Sequence, residues 1–381
     1  MGGGSGGHVT PVVAVLKELR ARHPHVELRF WCDRTFAPQA KEIMRAFDDT
    51  MLVETIMSGK LRRYHHLTVW QHLMWPSLLW QNTKDVVKVI GGLFESIWKL
   101  IRWRPDVVFT KGGFVCLPVG LAAHLLGIPL VIHDSDAHPG LTNRILSRWA
   151  TTIATGAPLE YYSYPTEKSR YVGIPINEAF RPLSVAAKRE AKKRWGVPTD
   201  RPLVVVTGGG LGAKRLNNTT LAVLPELETL ASVIVVSGAG QYDELRERYP
   251  HDTATFQLHS FVTTMPDLLG AADIAVARAG ATTILELAAL RTPTILVPNA
   301  ALTGGHQLKN AAVYGDAQVA IVLDEDEIVG TPQLLVEAVK SYLGDPKTTA
   351  SMARRFGEFA KPDAAKDMAA LILKASKKRV Y

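Results

Sequence analysis

The sequence predicts an α/β protein of two domains, each a parallel sheet covered by helices on both faces, and three observations carry that prediction. Short apolar runs rich in Val and Ile alternate with longer helical patterns along most of the chain. Two glycine-rich turns, Gly2–Gly7 at the start and Gly208–Gly212 near the middle, each open a new helix. The length of 381 residues fits about two or three domains, and 47% hydrophobic against 21% charged content supplies their cores.

In order, strands are expected at 26–31, 107–110, 130–133, 203–207, 233–237, 274–277, 294–297 and 319–323. A helix is expected over 11–22, directly after the first glycine turn, and another over 86–102. The uncharged stretch 116–132 approaches the minimum for a membrane span, but Pro118, His124, Gly127 and Pro129 interrupt it. It reads as a short helix, a turn and a strand. Residues 173–201 hold Pro175, Pro182 and Pro198 around a basic helix and read as a linker. Boundaries follow at 1–175 and 176–360, with 361–381 a C-terminal helix packing back on the first domain.

One element is missing. A phosphate-type glycine loop normally leaves the end of a strand and enters a helix, yet no strand precedes Gly2. Either a strand lies upstream of this start or the first sheet lacks a central strand. The first alternative is the expectation, and the domain as written should then be less stable than one with the strand restored.

Charge and cysteine content bound the partners. Lys and Arg number 44 against 36 Asp and Glu, a net +8 that favours an anionic partner such as phosphate, nucleic acid or acidic lipid. Cys32 and Cys116 lie far apart in apolar segments, which suits buried thiols in a reducing compartment and excludes a cystine-stapled secreted fold. The chain opens on glycines and not on a basic segment followed by an apolar one, so no signal peptide is expected.

Four segments carry chemistry. The glycine loops Gly2–Gly7 and Gly208–Gly212 let backbone N–H groups and a helix dipole approach phosphate, because no Cβ stands in the way. The first also has dinucleotide-type spacing, with Asp33 where a ribose-binding acid would fall. Tight packing turns explain either loop alone equally well. In the segment Arg278–Glu286, a small-residue turn again starts a helix, and Glu286 can accept bonds from two ribose hydroxyls while N–H groups near Ala281, Thr282 and Thr283 meet phosphate. Taken alone, Glu286 is equally an acid favourably placed near a helix N-terminus. The polar turn 302–310 holds His306 and Gln307, which can donate to and accept from sugar hydroxyls.

Taken with His8–Pro11, Ser58–Tyr64, Lys111–Phe114 and Pro139–Asn143, these segments run through nearly the whole chain in the order of one family. The sequence resembles the MurG family of glycosyltransferase family 28. That resemblance implies a GT-B fold, two Rossmann-like domains with parallel sheets facing across a cleft. It implies inverting transfer of N-acetylglucosamine from UDP-N-acetylglucosamine to the C4 hydroxyl of undecaprenyl-linked lipid I, making lipid II for peptidoglycan.

Residue by residue, the resemblance places Glu286 on the ribose, and Ala281, Thr282, Thr283, Gly209, Gly210 and Gly212 at the diphosphate. Val262 and Met265 would flank uracil, His306 and Gln307 would read the sugar, and Asn177 would lie among the substrate-binding residues. Acceptor contacts would come from Ser5, Gly6, Gly7 and His8 and from the loop 134–138. For the general base, His8 is the first candidate because imidazole titrates near neutral pH, although it equally suits the acceptor pyrophosphate. Asp136 is the second, at a position where many relatives carry Asn. N–H groups and a helix dipole can stabilise the leaving UDP, so neither a metal nor a cofactor is expected.

Departures from the family pattern concern phosphate contacts. Gly210 stands where a Ser is frequent and Asn177 where some relatives place an Arg, with Arg181 or Lys214 as candidate substitutes. Phe114 replaces a Tyr.

Between Lys60 and Arg104, Trp70, Trp75, Trp80, Trp98 and Trp103 alternate with basic residues, as in proteins that rest on an anionic membrane surface. The apolar residues 86, 87, 90, 93, 94, 97, 98 and 101 form one helical face, for membrane contact or for core packing. The expected location is peripheral, on the cytoplasmic face of the cell membrane, alongside other cell-wall synthesis proteins. Competing readings are a nicotinamide-dependent oxidoreductase, a nucleic-acid binder, a diacylglycerol glycosyltransferase and a UDP-N-acetylglucosamine epimerase. The first leaves the second loop and Glu286 unexplained, and no nucleic-acid partner is expected.

Overall fold

The computed structural model describes residues 1–2, 6–60, 76–209, 212–299 and 305–377; for 6–8, 10 and 76–79 only the backbone is described. The chain forms two compact units, Met1–Asn177 with Lys361–Tyr381, and Glu178–Ala360.

In the first unit, β1 (Arg29–Cys32) pairs in parallel with β2 (Leu52–Thr55), and β3 (Val108–Thr110), β4 (Leu130–Asp134), β5 (Thr152–Thr155) and β6 (Ser169–Tyr171) form a four-stranded parallel sheet. Strand periodicity sorts the side chains into two layers. Phe30, Cys32, Val131 and Ala154 join one buried cluster, whereas Trp31, Leu130, Ile132 and Ile153 join another on the opposite face. Each such Ile contributes about 1.5–3 kcal/mol by leaving water.

Two helices close the first layer. Helix Gly6–Arg22 presents Val9, Val12, Val15, Leu16 and Leu19, a helical stripe, to helix Ala364–Ser376, which answers with Met368, Ala369 and Ile372. The first helix starts well before residue 11, so Pro11 lies inside it and gives up one backbone hydrogen bond. Helix Pro76–Trp103 starts before residue 86, and its apolar residues do not share one face. Val89, Leu93, Ile97 and Leu100 pack on the core, while Trp80, Val87, Ile90, Phe94, Trp98 and Ile101 point outward. The uncharged stretch 116–132 resolves into helix Cys116–Leu125, a turn at Gly127 with φ +64°, and β4. Among the described residues, no helix is long and apolar enough to cross a membrane.

The second unit holds β7 (Leu203–Thr207), β8 (Ser232–Val236), β9 (Phe256–His259), β10 (Ile274–Ala277), β11 (Thr294–Leu296) and β12 (Ile321–Val322). All are parallel, in the order β12-β11-β10-β7-β8-β9. β7 and β8 are buried along their whole length, which is why they read as unbroken Val and Ile runs. The break between the units falls between Asn177 and Glu178, inside the stretch 173–201 read as a linker, and the basic helix Val185–Arg194 belongs to the second unit. Lys188 and Lys192 bind Asp273 at 2.8 and 2.6 Å and anchor that helix beside β10.

Candidate nucleotide-sugar site and acceptor loop

Strand order in the second unit reverses at β7: the chain proceeds outward through β8 and β9, then returns to the other side of β7 with β10. Open parallel sheets bind ligands at such a switch point, beyond the carboxyl ends of the strands. Register makes the geometry explicit. Leu296, Ala277, Thr207, Val236 and His259 form one continuous rung across five strands. The turns after β7 and β10 therefore leave side by side, about 4.8 Å apart, and the Arg278 N–H donates to Thr207 O.

The turn after β7 is glycine for backbone reasons. Gly209 and Gly212 have φ of +73° and +75°, and a Cβ on Gly212 would stand 2.5 Å from Ser237 O. Around Gly209 the space is open. Gly212→Ala is expected to destabilise the second unit by clearly more than the left-handed penalty of about 1–2 kcal/mol that Gly209→Ala incurs, as read by thermal unfolding. Equal effects would show that Ser237 yields freely. Lys214, a proposed phosphate substitute, binds Glu244 at 2.8 Å on the surface.

After β10, Gly280 is the N-cap of helix Ala281–Leu290 in an extended conformation, with no side-chain cap. The N–H groups of Ala281, Thr282 and Thr283 precede the first intrahelical bonds and lie at the positive end of the dipole. Glu286 follows one turn on, half-buried, and burial pushes its carboxyl up to about 8. Arg278 is buried and works inside the fold: its guanidinium donates to Val297 O at 3.1 Å and pairs with the buried Glu325.

The remaining donor candidates stand on the same edge of the sheet. Val262 is buried in the turn after β9, and Met265 starts helix Met265–Ala271. Beyond β11, His306 and Gln307 open helix His306–Asp316, where the Gln307 side-chain oxygen accepts from Asn299 N at 2.9 Å. Asn310, at the end of the polar segment 302–310, donates to Ala279 O at 3.1 Å and ties that helix to the turn after β10.

In the first unit, the loop 134–138 leaves the end of β4 and is held by motif residues. The Asp134 carboxylate accepts from Tyr164 OH at 2.8 Å and from Gly140 N at 3.2 Å, and Asn143 donates to His133 O at 3.1 Å. Burial pushes the Asp134 carboxyl up to about 7. Tyr162 OH donates to Asp136 O at 2.7 Å, fixing the backbone of that residue. Beneath the loop, buried Lys111 reaches His133 Nδ1 at 3.0 Å and Ser135 Oγ, while His133 Nε2 lies 2.8 Å from Gly173 O. An Nε2–H donating to that carbonyl leaves Nδ1 to accept from Lys111. Burial lowers the Lys111 ammonium to about 8. Nothing in the sequence pattern announced Lys111, His133 and Tyr164 as partners, because they come from three segments separated by 22 to 31 residues, the end of β3, the end of β4 and the connection before β6.

Of the other candidates, Gly6, Gly7 and His8 form the first turn of helix Gly6–Arg22, with side chains outside the described residues. Ser5 and Gly210 also lie outside them. Asn177 is exposed. Asp33 accepts from Phe36 N at 3.0 Å, a local turn bond.

Comparison with known proteins agrees with this arrangement. The glycosyltransferase family 28 N-terminal domain matches residues 1–155 and the family's C-terminal domain matches residues 203–368. A Clostridium kluyveri UDP-N-acetylglucosamine--N-acetylmuramyl-(pentapeptide) pyrophosphoryl-undecaprenol N-acetylglucosamine transferase is 33% identical over 89% of this chain and 89% of its own length. The Bacillus subtilis protein of the same name is 31% identical over 96% of this chain and 95% of its own. The crystal structure of Acinetobacter baumannii MurG superposes with a TM-score of 0.71 at 25% identity, covering 97% of both chains. The fold is GT-B, and the chain belongs to glycosyltransferase family 28, among the MurG transferases.

Proposed function

We propose that this protein transfers N-acetylglucosamine from UDP-N-acetylglucosamine to the C4 hydroxyl of lipid I, with inversion at the anomeric carbon, giving lipid II. The observation that carries the reading is the paired turns at the β7/β10 switch point, with an uncapped helix N-terminus and Glu286 one turn beyond it. The diphosphate lies over Gly209, Gly210 and Gly212 and the N–H groups of Ala281, Thr282 and Thr283. Glu286 accepts from the ribose hydroxyls, Val262 and Met265 flank uracil, and His306 and Gln307 read the sugar. Ser5, Gly6, Gly7 and the loop 134–138 receive the acceptor, and Asn177 completes the substrate contacts.

In the chemical step the C4 oxygen of the acceptor bonds to the anomeric carbon as the bond to the UDP oxygen breaks. The hydroxyl proton passes to a base, and UDP leaves with the electron pair, its charge met by main-chain N–H groups. His8 and Asp136 are the candidate bases. The test supplies labelled UDP-N-acetylglucosamine with lipid I or with diacylglycerol. Label in lipid I alone supports the reading, and label in diacylglycerol or an epimerised donor overturns it. In the same assay, loss of turnover with unchanged donor affinity in His8→Asn or Asp136→Asn identifies the base; normal turnover removes that residue from the role.

The outward stripe of helix Pro76–Trp103 supports peripheral binding to an anionic membrane, on the cytoplasmic face where lipid I is presented. Trp80, Phe94 and Trp98 are 62%, 68% and 58% exposed, and Lys84 and Arg102 stack over Trp80 and Trp98 at 4.8 and 4.9 Å. Phe94→Glu with Trp98→Glu is expected to abolish sedimentation with anionic vesicles while leaving donor affinity unchanged. Retained sedimentation would remove the stripe from the membrane contact.

A further inference from the structure

Lys111 stands directly after β3 and is 2% exposed. An apolar side chain would fill the same space without taking a charge out of water, so an ammonium there calls for partners. It donates to His133 Nδ1 at 3.0 Å and to Ser135 Oγ, both neutral acceptors. The opposing charge comes from the loop above it: burial lowers the ammonium's pKa, and Asp136 and then Asp134 work against that fall.

The main chain of this loop is fixed from several sides. Gly156 N donates to Asp134 O at 2.7 Å, and Gly156 packs so closely that a Cβ on it would stand 2.6 Å from Ser135 O. The Tyr162 hydroxyl accepts from Ala157 N at 3.2 Å and donates to Asp136 O, and its ring stacks on Tyr164 with centroids 5.6 Å apart. Below, His133 holds Gly173 O through Nε2, so its Nδ1 is aimed at Lys111. The ammonium is therefore clamped between a rigid strand end and the side chain of Ser135, next to the half-buried Asp136.

We propose that Lys111 is a positioning residue of the transfer: held by His133, its ammonium grips Ser135 and acts by charge on Asp136, setting that carboxylate in place to take the proton of the acceptor hydroxyl. The inference rests on the reading that loop 134–138 receives the acceptor and that Asp136 is the base. Lys111 keeps its own protons throughout; the hydroxyl proton goes to the Asp136 carboxylate as the new glycosidic bond forms and UDP leaves.

Lys111→Met keeps most of the stem and removes the charge. Turnover at saturating donor and lipid I, donor affinity by calorimetry and melting temperature are measured for it, for Asp136→Asn and for the double variant. The expected result is a fall in kcat of about 10- to 100-fold with donor affinity unchanged. In the Asp136→Asn background, Lys111→Met should cost less than about twofold more, because the two residues act as one unit. Parental turnover in either single variant, single effects that multiply in the double variant, or donor affinity falling in step with kcat would each overturn the proposal. If the melting curve shows Lys111→Met unfolded, Ser135→Ala removes the grip and leaves the cation on His133; the same loss of kcat and the same non-additivity with Asp136→Asn are expected, and parental turnover overturns the proposal. A parent that labels no lipid I refutes the transferase reading, whereas an active parent with an indifferent Lys111→Met refutes this inference alone.

Discussion

Glu286→Gln is expected to weaken UDP-sugar binding by about 10- to 100-fold and, at pH 8, to make the empty protein harder to unfold. The two effects have one cause. Burial raises the Glu286 carboxyl from its ordinary 4.5 to about 8, so the folded protein holds a proton that the unfolded chain releases. Wherever the folded state binds more protons, stability falls as pH rises, here between about 4.5 and about 8. At about 1.4 kcal/mol per pH unit, the penalty approaches 3–5 kcal/mol by the top of that window. Glutamine carries no such penalty, so the gap in melting temperature between variant and parent should widen from pH 5 to pH 8 and then level off. A carboxylate accepting two ribose hydroxyls is favoured in its ionised form, so donor affinity should rise with pH over 6 to 8, with protons released on binding. Calorimetry in two buffers of different ionisation enthalpy reads that release. Unchanged donor affinity in Glu286→Gln would take the residue out of the site.

The same residue marks where the sequence was readable. Glu286 follows a strand, a small-residue turn and a helix start, all local features, so its place could be read from spacing alone. So could β7, β8 and β10, whose Val and Ile runs have no polar alternation because both faces are covered. By contrast β2 (Leu52–Thr55), β5 (Thr152–Thr155), β6 (Ser169–Tyr171) and β9 (Phe256–His259) are short and mixed in polarity, and they become strands only because a neighbour offers its edge. Helix Pro76–Trp103 shows the same limit in another form. Its apolar residues were visible, but which of them face the core depends on the helix it packs against, Cys116–Leu125, and no local pattern carries that information.

Glu325→Ala is expected to lower stability of the second unit by about 3–5 kcal/mol, a drop in melting temperature of roughly 6–20 °C. Arg278 and Glu325 are both buried, 47 residues apart in sequence, and each also meets a second partner. The guanidinium reaches Val297 O, and the carboxylate receives Arg215 Nη1 at 3.4 Å. Truncating Glu325 leaves a buried cation facing no anion, and that desolvated charge, not the lost bond, sets the size of the effect. Replacing both partners with apolar residues, Arg278→Met and Glu325→Leu, removes both charges and should recover most of the loss. The double variant also decides what Arg278 does beside the donor turn. If its cation serves only to fix the β10 and β11 ends, the double variant binds UDP-sugar as the parent does once folded. If binding fails while melting temperature recovers, Arg278 meets the diphosphate directly and takes the place of the phosphate-binding Arg that Asn177 does not supply.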